Sequence, residues 1–304
     1  MERNFFPNVS TSHAAAEMEE YLVVGTARTT PSVTELQTGW PKPWLFARLL
    51  VFFGIIYLGS VLGYLSYHNE ALIPCLILVG TFAGPLGTLT FFFELNAPRN
   101  VSIYRLAIVL CLGGLISMFI SLIAYDLKGL ARLGPWSAGI IEELAKLAAL
   151  ILIGRGRRHR YVLNGMLFGA AVGAGFSSFE NAGVALHVLG REGARSMIKN
   201  IALRGIMAPL MHVPWTAMVG AALWRAKKTR PTSLGALGEP LFYRVLLLAV
   251  LLHLLWNVPC PEPPLWPKEF LLGAAAWFVI WGLVQQGLYE VRDEQQSLAV
   301  TRQS

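Results

Sequence analysis

The residues best suited to chemistry lie in Ile140-Ile141-Glu142-Glu143-Leu144-Ala145-Lys146, inside an apolar run from about Leu133 to Gly154. A charged side chain at the centre of a membrane helix costs at least about 2.5 kcal/mol on insertion scales. Two adjacent carboxylates in such a run therefore need a reason to be there. Lys146 stands four residues after Glu142 and three after Glu143, so it can neutralise one of them on the same helix face. The other is left without a partner. That arrangement suits a site in which one carboxylate is held in place and its neighbour handles protons.

Further along the chain, rare polar groups recur inside other apolar runs. Phe176-Ser177-Ser178-Phe179-Glu180-Asn181 places Phe176 and Glu180 on one helix face, and that face continues through Gly173, Gly169 and Gly165. A ladder of glycines at intervals of four lets another helix approach closely, so Glu180 is expected to face a helix and not lipid. His212 precedes Val213-Pro214, where a proline frees backbone carbonyls and opens room for water. His253 and Asn257 share a face one turn apart, and Arg204 is a candidate counter-charge. His159 and His187 receive no role.

The elements that must position these groups are membrane helices. Hydrophobic residues make up 55% of the 304-residue chain and charged residues only 14%, with a mean hydropathy of +0.52. A soluble domain carries about 25% charged residues. Apolar runs of spanning length recur, which predicts an all-α polytopic bundle of about eight spans. They cover about 44–67, 71–93, 102–124, 133–154, 161–189, 200–224, 241–258 and 270–288, the second broken by Pro74 and Gly84-Pro85. Residues 1–40 are polar and read as a disordered cytoplasmic tail, closed by the basic and aromatic anchor Pro41-Lys42-Pro43-Trp44. Residues 41–290 then form one transmembrane domain, and 291–304 a short cytoplasmic tail. The net charge of +7 sits in short loops, which points to membrane orientation and away from nucleic acid. Cys75, Cys111 and Cys260 lie too far apart for a disulfide framework or a cysteine metal site.

Loop charges give an orientation. Fifteen lysines and arginines fall on the side of Arg48, Arg99, Arg158 and Lys228, against six on the side of Lys128, Arg191 and Lys268. The positive-inside rule then puts both termini in the cytoplasm of what is expected to be a bacterial cytoplasmic membrane. With that orientation, Glu142 and Glu143 sit roughly 14 Å below the outer end of their span at ~1.5 Å per residue. Glu180, His212 and His253 fall in the same outer half, so five polar groups from four helices are expected in one layer.

These segments resemble a family. Glu142-Glu143-Leu144-Ala145-Lys146 matches the EExxK motif of the PrsW-type intramembrane proteases, and Phe176 to Asn181 matches their FxxxEN motif. His212 and the stretch from His253 to Asn257 match their two histidine motifs, in the same order, over roughly residues 70 to 260. More distantly the pattern is similar to the CAAX-prenyl endopeptidase and bacteriocin-processing group. The resemblance implies cleavage of a membrane-anchored protein such as an anti-sigma factor. It also implies catalytic roles for Glu142, Glu143, Glu180, His212, His253 and Asn257, supported by Lys146, Phe176 and Asn181.

Peptide hydrolysis in a water-poor cavity needs a base for water, a stabiliser for the oxyanion and a proton donor for the leaving amine. Either Glu142 or Glu143 suits the base, His212 and Asn257 the oxyanion donors, and His253 a donor or ligand. No HExxH is present, so the spacing leaves two versions open. One uses no cofactor; the other holds a divalent metal such as zinc with His212, His253 and Glu180 as candidate ligands. Two other classes compete with a protease. A proton-coupled transporter would continue its polar path beyond Lys146, where the span offers only Leu, Ala and Ile. A catalytically silent scaffold would keep the polar cluster for assembly alone.

Overall fold

The computed structural model describes residues 11–12, 14–39, 44–126, 136–153, 159–229, 233–259 and 266–303. Residues 41–43 of the expected anchor, the loop charges Lys128, Arg132, Arg155, Arg157, Arg158 and Arg230, and Cys260 lie outside them. All regular structure among the described residues is helical. The helices are α1 (Ala15–Leu22), α2 (Leu45–Tyr67), α3 (Ile73–Leu95), α4 (Ile103–Asp126), α5 (Trp136–Ile153) and α6 (Val162–Glu192). They are followed by α7 (Ala194–Met207), α8 (His212–Thr229), α9 (Ser233–Leu237), α10 (Pro240–Asn257) and α11 (Trp266–Gln303).

Seven stretches are long and apolar enough to cross a membrane: α2, α3, α4, α6, α7 with α8, α10 and α11. Helix α5 has the length, 18 residues, but carries Glu142, Glu143 and Lys146 within it. It corresponds to the fourth span of the sequence reading, and with the other seven makes the expected eight. Its charges survive because they share one face: Glu142, Glu143, Lys146, Ala149 and Leu150 are buried, whereas Leu144 and Leu152 face outward.

Helix α6 is the axis of the bundle, with every residue from Val162 to Ser178 buried. Its glycine ladder meets α8. A Cβ on Gly169 would lie 2.2 Å from the Thr216 carbonyl oxygen, and one on Gly173 would lie 2.6 Å from that of His212. The opposite side of α6 meets α4 just as closely, since a Cβ on Gly175 would lie 2.0 Å from the Leu110 carbonyl oxygen. Without side chains between them, the backbones pack directly. Helix α2 is peripheral and presents Val51, Phe52, Ile55, Leu58 and Leu62 to its surroundings.

Two expectations change. The second span is one helix, α3, with Pro74 in its first turn and Pro85 inside it. A proline in the first turn loses no helical hydrogen bond, and one inside a membrane helix is tolerated when neighbours support it. The expected sixth span is discontinuous instead. Helix α7 ends at Met207, a 3₁₀ turn covers Ala208–Leu210, and α8 starts at His212. Pro209 lies in that turn, and the Trp277 indole N–H of α11 donates to its carbonyl at 2.8 Å. A carbonyl released by the break is thereby satisfied inside the bundle.

Helix ends are capped across the fold. Glu94, near the end of α3, accepts from the N–H of Leu45 at 2.5 Å and of Phe46 at 2.9 Å, at the start of α2. Glu290 of α11 accepts from the first N–H of α6, Val162, at 3.0 Å. Lys268 donates to the carbonyls of Trp256 and Val258, at the end of α10, at 2.9 and 2.8 Å. Each places charge where the helix dipole favours it. Residues 23–38 run along the end of the bundle where α11 leaves it. Val24 joins the main core, and Leu36 packs with Tyr161 and Val291. Gln295 donates to the carbonyls of both Val33 and Leu36 at 2.9 Å.

Candidate active site

Four helices converge on the face of α5 that carries its charges. Glu143 and Lys146 form the innermost pair, with Nζ 2.6 Å from Oε1 and both side chains almost wholly enclosed. The Lys146 ammonium also lies 2.9 Å from His212 Nδ1, 3.9 Å from Glu142 Oε2 and 4.4 Å from the centre of the Phe176 ring. One cation thus touches two of the carboxylates, a histidine and an aromatic face.

Each histidine is held by a carboxylate on one nitrogen. His253 Nδ1 lies 2.9 Å from Glu143 Oε1, and His212 Nε2 lies 3.0 Å from Glu180 Oε2. An ionised carboxylate only accepts, so the His253 proton sits on Nδ1, facing Glu143. His253 is left with Nε2 as its lone-pair nitrogen, 3.8 Å from Glu142 Oε2. An ammonium only donates, so His212 Nδ1 accepts from Lys146 and its proton sits on Nε2. The two rings stand 5.0 Å apart and share a wall made by the buried Trp215 ring.

Local structure explains these positions. His212 is the first residue of α8, delivered to mid-bundle by the break after Met207, and its carbonyl packs on Gly173. Glu180 lies two turns further along α6, where Arg204 of α7 reaches it at 2.9 Å and also donates to the side-chain carbonyl of Asn181. Asn181 in turn donates to Ser177 at 3.4 Å. The Glu180 side chain is 26% exposed and that of Arg204 23%, so this pair forms the rim of an otherwise closed cluster.

Glu142, Glu143, Lys146, Phe176, Glu180, His212 and His253 therefore come together, with Asn181 behind Arg204. Asn257 ends α10 one turn beyond His253, half-buried and outside the described hydrogen bonds of the cluster. His187 is exposed on the outer surface of α6, and His159 is engaged with Asn100 and Trp224 elsewhere in the bundle. Two residues had no signal in the sequence. Tyr125, near the end of α4, donates its hydroxyl to Glu142 Oε1 at 3.1 Å. Trp215 buries an indole N–H without a hydrogen-bond partner beside both histidines. An aromatic residue at a helix end, or three residues after a histidine, is too common to single out.

The donor set suits a divalent cation. One ligand atom each from Glu142, His212 and His253 lie within 4.8 Å of one another, all from buried residues. Glu142 Oε2 is a buried oxygen with no hydrogen-bond partner, a costly state that a cation would relieve. Three carboxylates face two cations, Lys146 and Arg204, so with all five ionised one negative charge is left over. Two histidines, a carboxylate and an open position form a known catalytic zinc set. Glu143 and Glu180 stand where outer carboxylates that orient ligating histidines would stand. The carboxylate beside the two histidines is thus Glu142, whereas the sequence reading placed Glu180 there. Glu180 instead faces the proton-bearing nitrogen of His212, and Arg204 holds its other oxygen.

Among known proteins, no curated relative and no solved structure matches the chain. The family model described as PrsW family intramembrane metalloprotease matches residues 101–284. That match starts later than the sequence resemblance suggested, past α3, and extends further, into α11. It contains Glu142, Glu143, Lys146, Glu180, His212 and His253 and covers more than half of the sequence. The four-helix cluster and the family match agree: the chain belongs to the PrsW family of intramembrane metalloproteases.

Proposed function

We propose that this membrane protease hydrolyses a peptide bond of a membrane-anchored protein, using water at a centre made by Glu142, His212 and His253. The single observation that carries this reading is Glu142 Oε2, buried and without a hydrogen bond among two histidines that other carboxylates already orient. Glu142, His212 and His253 would hold a divalent ion, which would supply Lewis acidity and lower the pKa of a bound water towards neutrality. Glu180, exposed at the rim beside Arg204, would be the carboxylate that passes the proton released by water towards solvent. With Nδ1 given to an ion and its proton on Nε2, His212 has no nitrogen left to accept one. The Lys146 ammonium, 2.9 Å from His212 Nδ1, and the unpartnered indole N–H of Trp215, whose ring packs against both histidines, are buried donors beside the centre. They suit the oxyanion and, for Lys146, the departing amine. Lys146 must yield the His212 lone pair for that role, since an ion and an ammonium cannot share it.

Glu143 Oε1 is engaged by Lys146 and His253, which supports a positioning role and leaves Glu142 as the reactive carboxylate. The substrate class implied by the motifs is a single-pass protein of the anti-sigma-factor kind in a bacterial cytoplasmic membrane. The lysine and arginine asymmetry supports cytoplasmic termini, with the rim at Glu180 and Arg204 towards the outer half of the bilayer. A silent scaffold would have no use for an unpartnered buried oxygen. Cleavage of a membrane-anchored substrate in detergent should stop when a chelator strips the protein and resume when zinc alone is returned. Full cleavage by protein shown by metal analysis to be ion-free would overturn the metal-dependent reading.

A further inference from the structure

We propose that Tyr125 is a positioning residue for the metal group, its hydroxyl holding one oxygen of Glu142 so that the other faces the two histidines. This inference rests on the metal-dependent reading above. The Glu142 carboxylate has one described hydrogen bond, from the Tyr125 hydroxyl to Oε1 at 3.1 Å. The other nearby groups, Lys146 Nζ at 3.9 Å and His253 Nε2 at 3.8 Å, lie beyond hydrogen-bond reach and both on the Oε2 side. Rotation about the last bond of a glutamate is broad, so the side chain itself does not set the plane of its carboxylate. A donor fixed on one oxygen removes that freedom and presents the other.

Tyr125 can serve as such a fixed donor because of how α4 is seated. A Cβ on Gly114 would lie 2.5 Å from the Gly175 carbonyl carbon, and one on Gly113 would lie 2.8 Å from the Val172 side chain. The helix bearing Tyr125 is therefore locked backbone to backbone on the helix bearing Glu180. The hydroxyl is aimed from a rigid element at a carboxylate on a third helix, and such support gives a site its precision. Tyr125 lies in none of the four motifs. It is half-buried, so a phenyl ring of the same shape fits its place.

The test uses the full chain in detergent micelles, stripped of ions and titrated with zinc alone against a chromophoric chelator. Tyr125→Phe should keep the wild-type thermal transition and bind zinc about 10- to 100-fold more weakly. Its cleavage should return to near the wild-type rate once zinc is saturating, and cobalt loaded in place of zinc should show an altered visible spectrum. Tyr125→4-aminophenylalanine, which keeps a donor at the same reach, should restore the affinity. Unchanged zinc affinity in Tyr125→Phe overturns the inference. That includes the case in which cleavage collapses at normal affinity, which would give the hydroxyl a part in the reaction itself. If the wild-type protein binds no zinc, the metal reading fails at that arm and the inference falls with it.

Discussion

His253 Nδ1 stands 2.9 Å from Glu143 Oε1, and that contact decides which edge of the imidazole looks at Glu142. The two adjacent glutamates therefore stand in different surroundings. Glu143 is spent on Lys146 and His253, whereas Glu142 keeps an oxygen open.

Unequal surroundings predict unequal variants. Glu142→Gln has the same shape and should accumulate normally, yet lose about 10²–10⁴-fold in cleavage, the range expected when a carboxylate that helps activate the reacting water is removed. Glu143→Gln should lose only about 10- to 100-fold, as outer carboxylates do. Turnover by purified proteins in lipid decides the matter. A larger loss at Glu143 than at Glu142 would reverse the assignment.

The glycine ladder predicts a steric result. In Gly169→Ala the new methyl would lie 2.2 Å from the Thr216 carbonyl oxygen, so α6 and α8 must part. Overpacking of this kind costs about 1–3 kcal/mol, and it would also shift His212. Thermal unfolding in micelles should show a lowered midpoint together with weakened cleavage. Gly183→Ala is the control, because nothing lies within 4 Å of the added atom.

Glu94 predicts a local effect far from the chemistry. Glu94→Ala removes the acceptor for the first N–H groups of α2, a loss of about 0.5–2 kcal/mol by analogy with helix caps. Hydrogen exchange at Leu45 and Phe46 should quicken while exchange in α6 stays at the wild-type rate. Unchanged exchange at both amides would show that the cap contributes nothing.

Orientation is open to a direct measurement. A reporter fused after Ser304 should be active only on the cytoplasmic side, as the loop charges require. Activity on the outer side alone would invert the topology and turn the rim at Glu180 towards the cytoplasm.

Much of this was legible in the chain alone, because membrane insertion obeys one-dimensional rules. Apolar runs of spanning length set the class, and the expense of a charge in such a run marked Glu142, Glu143, Lys146 and Glu180 without any structure. The interval of four between Gly165, Gly169 and Gly173 announced a close helix partner, since one helix face recurs at that period. Which helix came to that face was decided only in three dimensions, where α8 fitted and brought the His212 carbonyl onto Gly173. The break before His212 also belongs to the tertiary level. Pro209 permits it, but the Trp277 donor from a distant helix makes the freed carbonyl tolerable. Likewise the different surroundings of Glu142 and Glu143 come from Tyr125 and His253, which lie 17 and 110 residues away from them in sequence. Periodicity tells which residues share a helix face; only packing tells which faces meet, and a proton or an ion responds to the meeting.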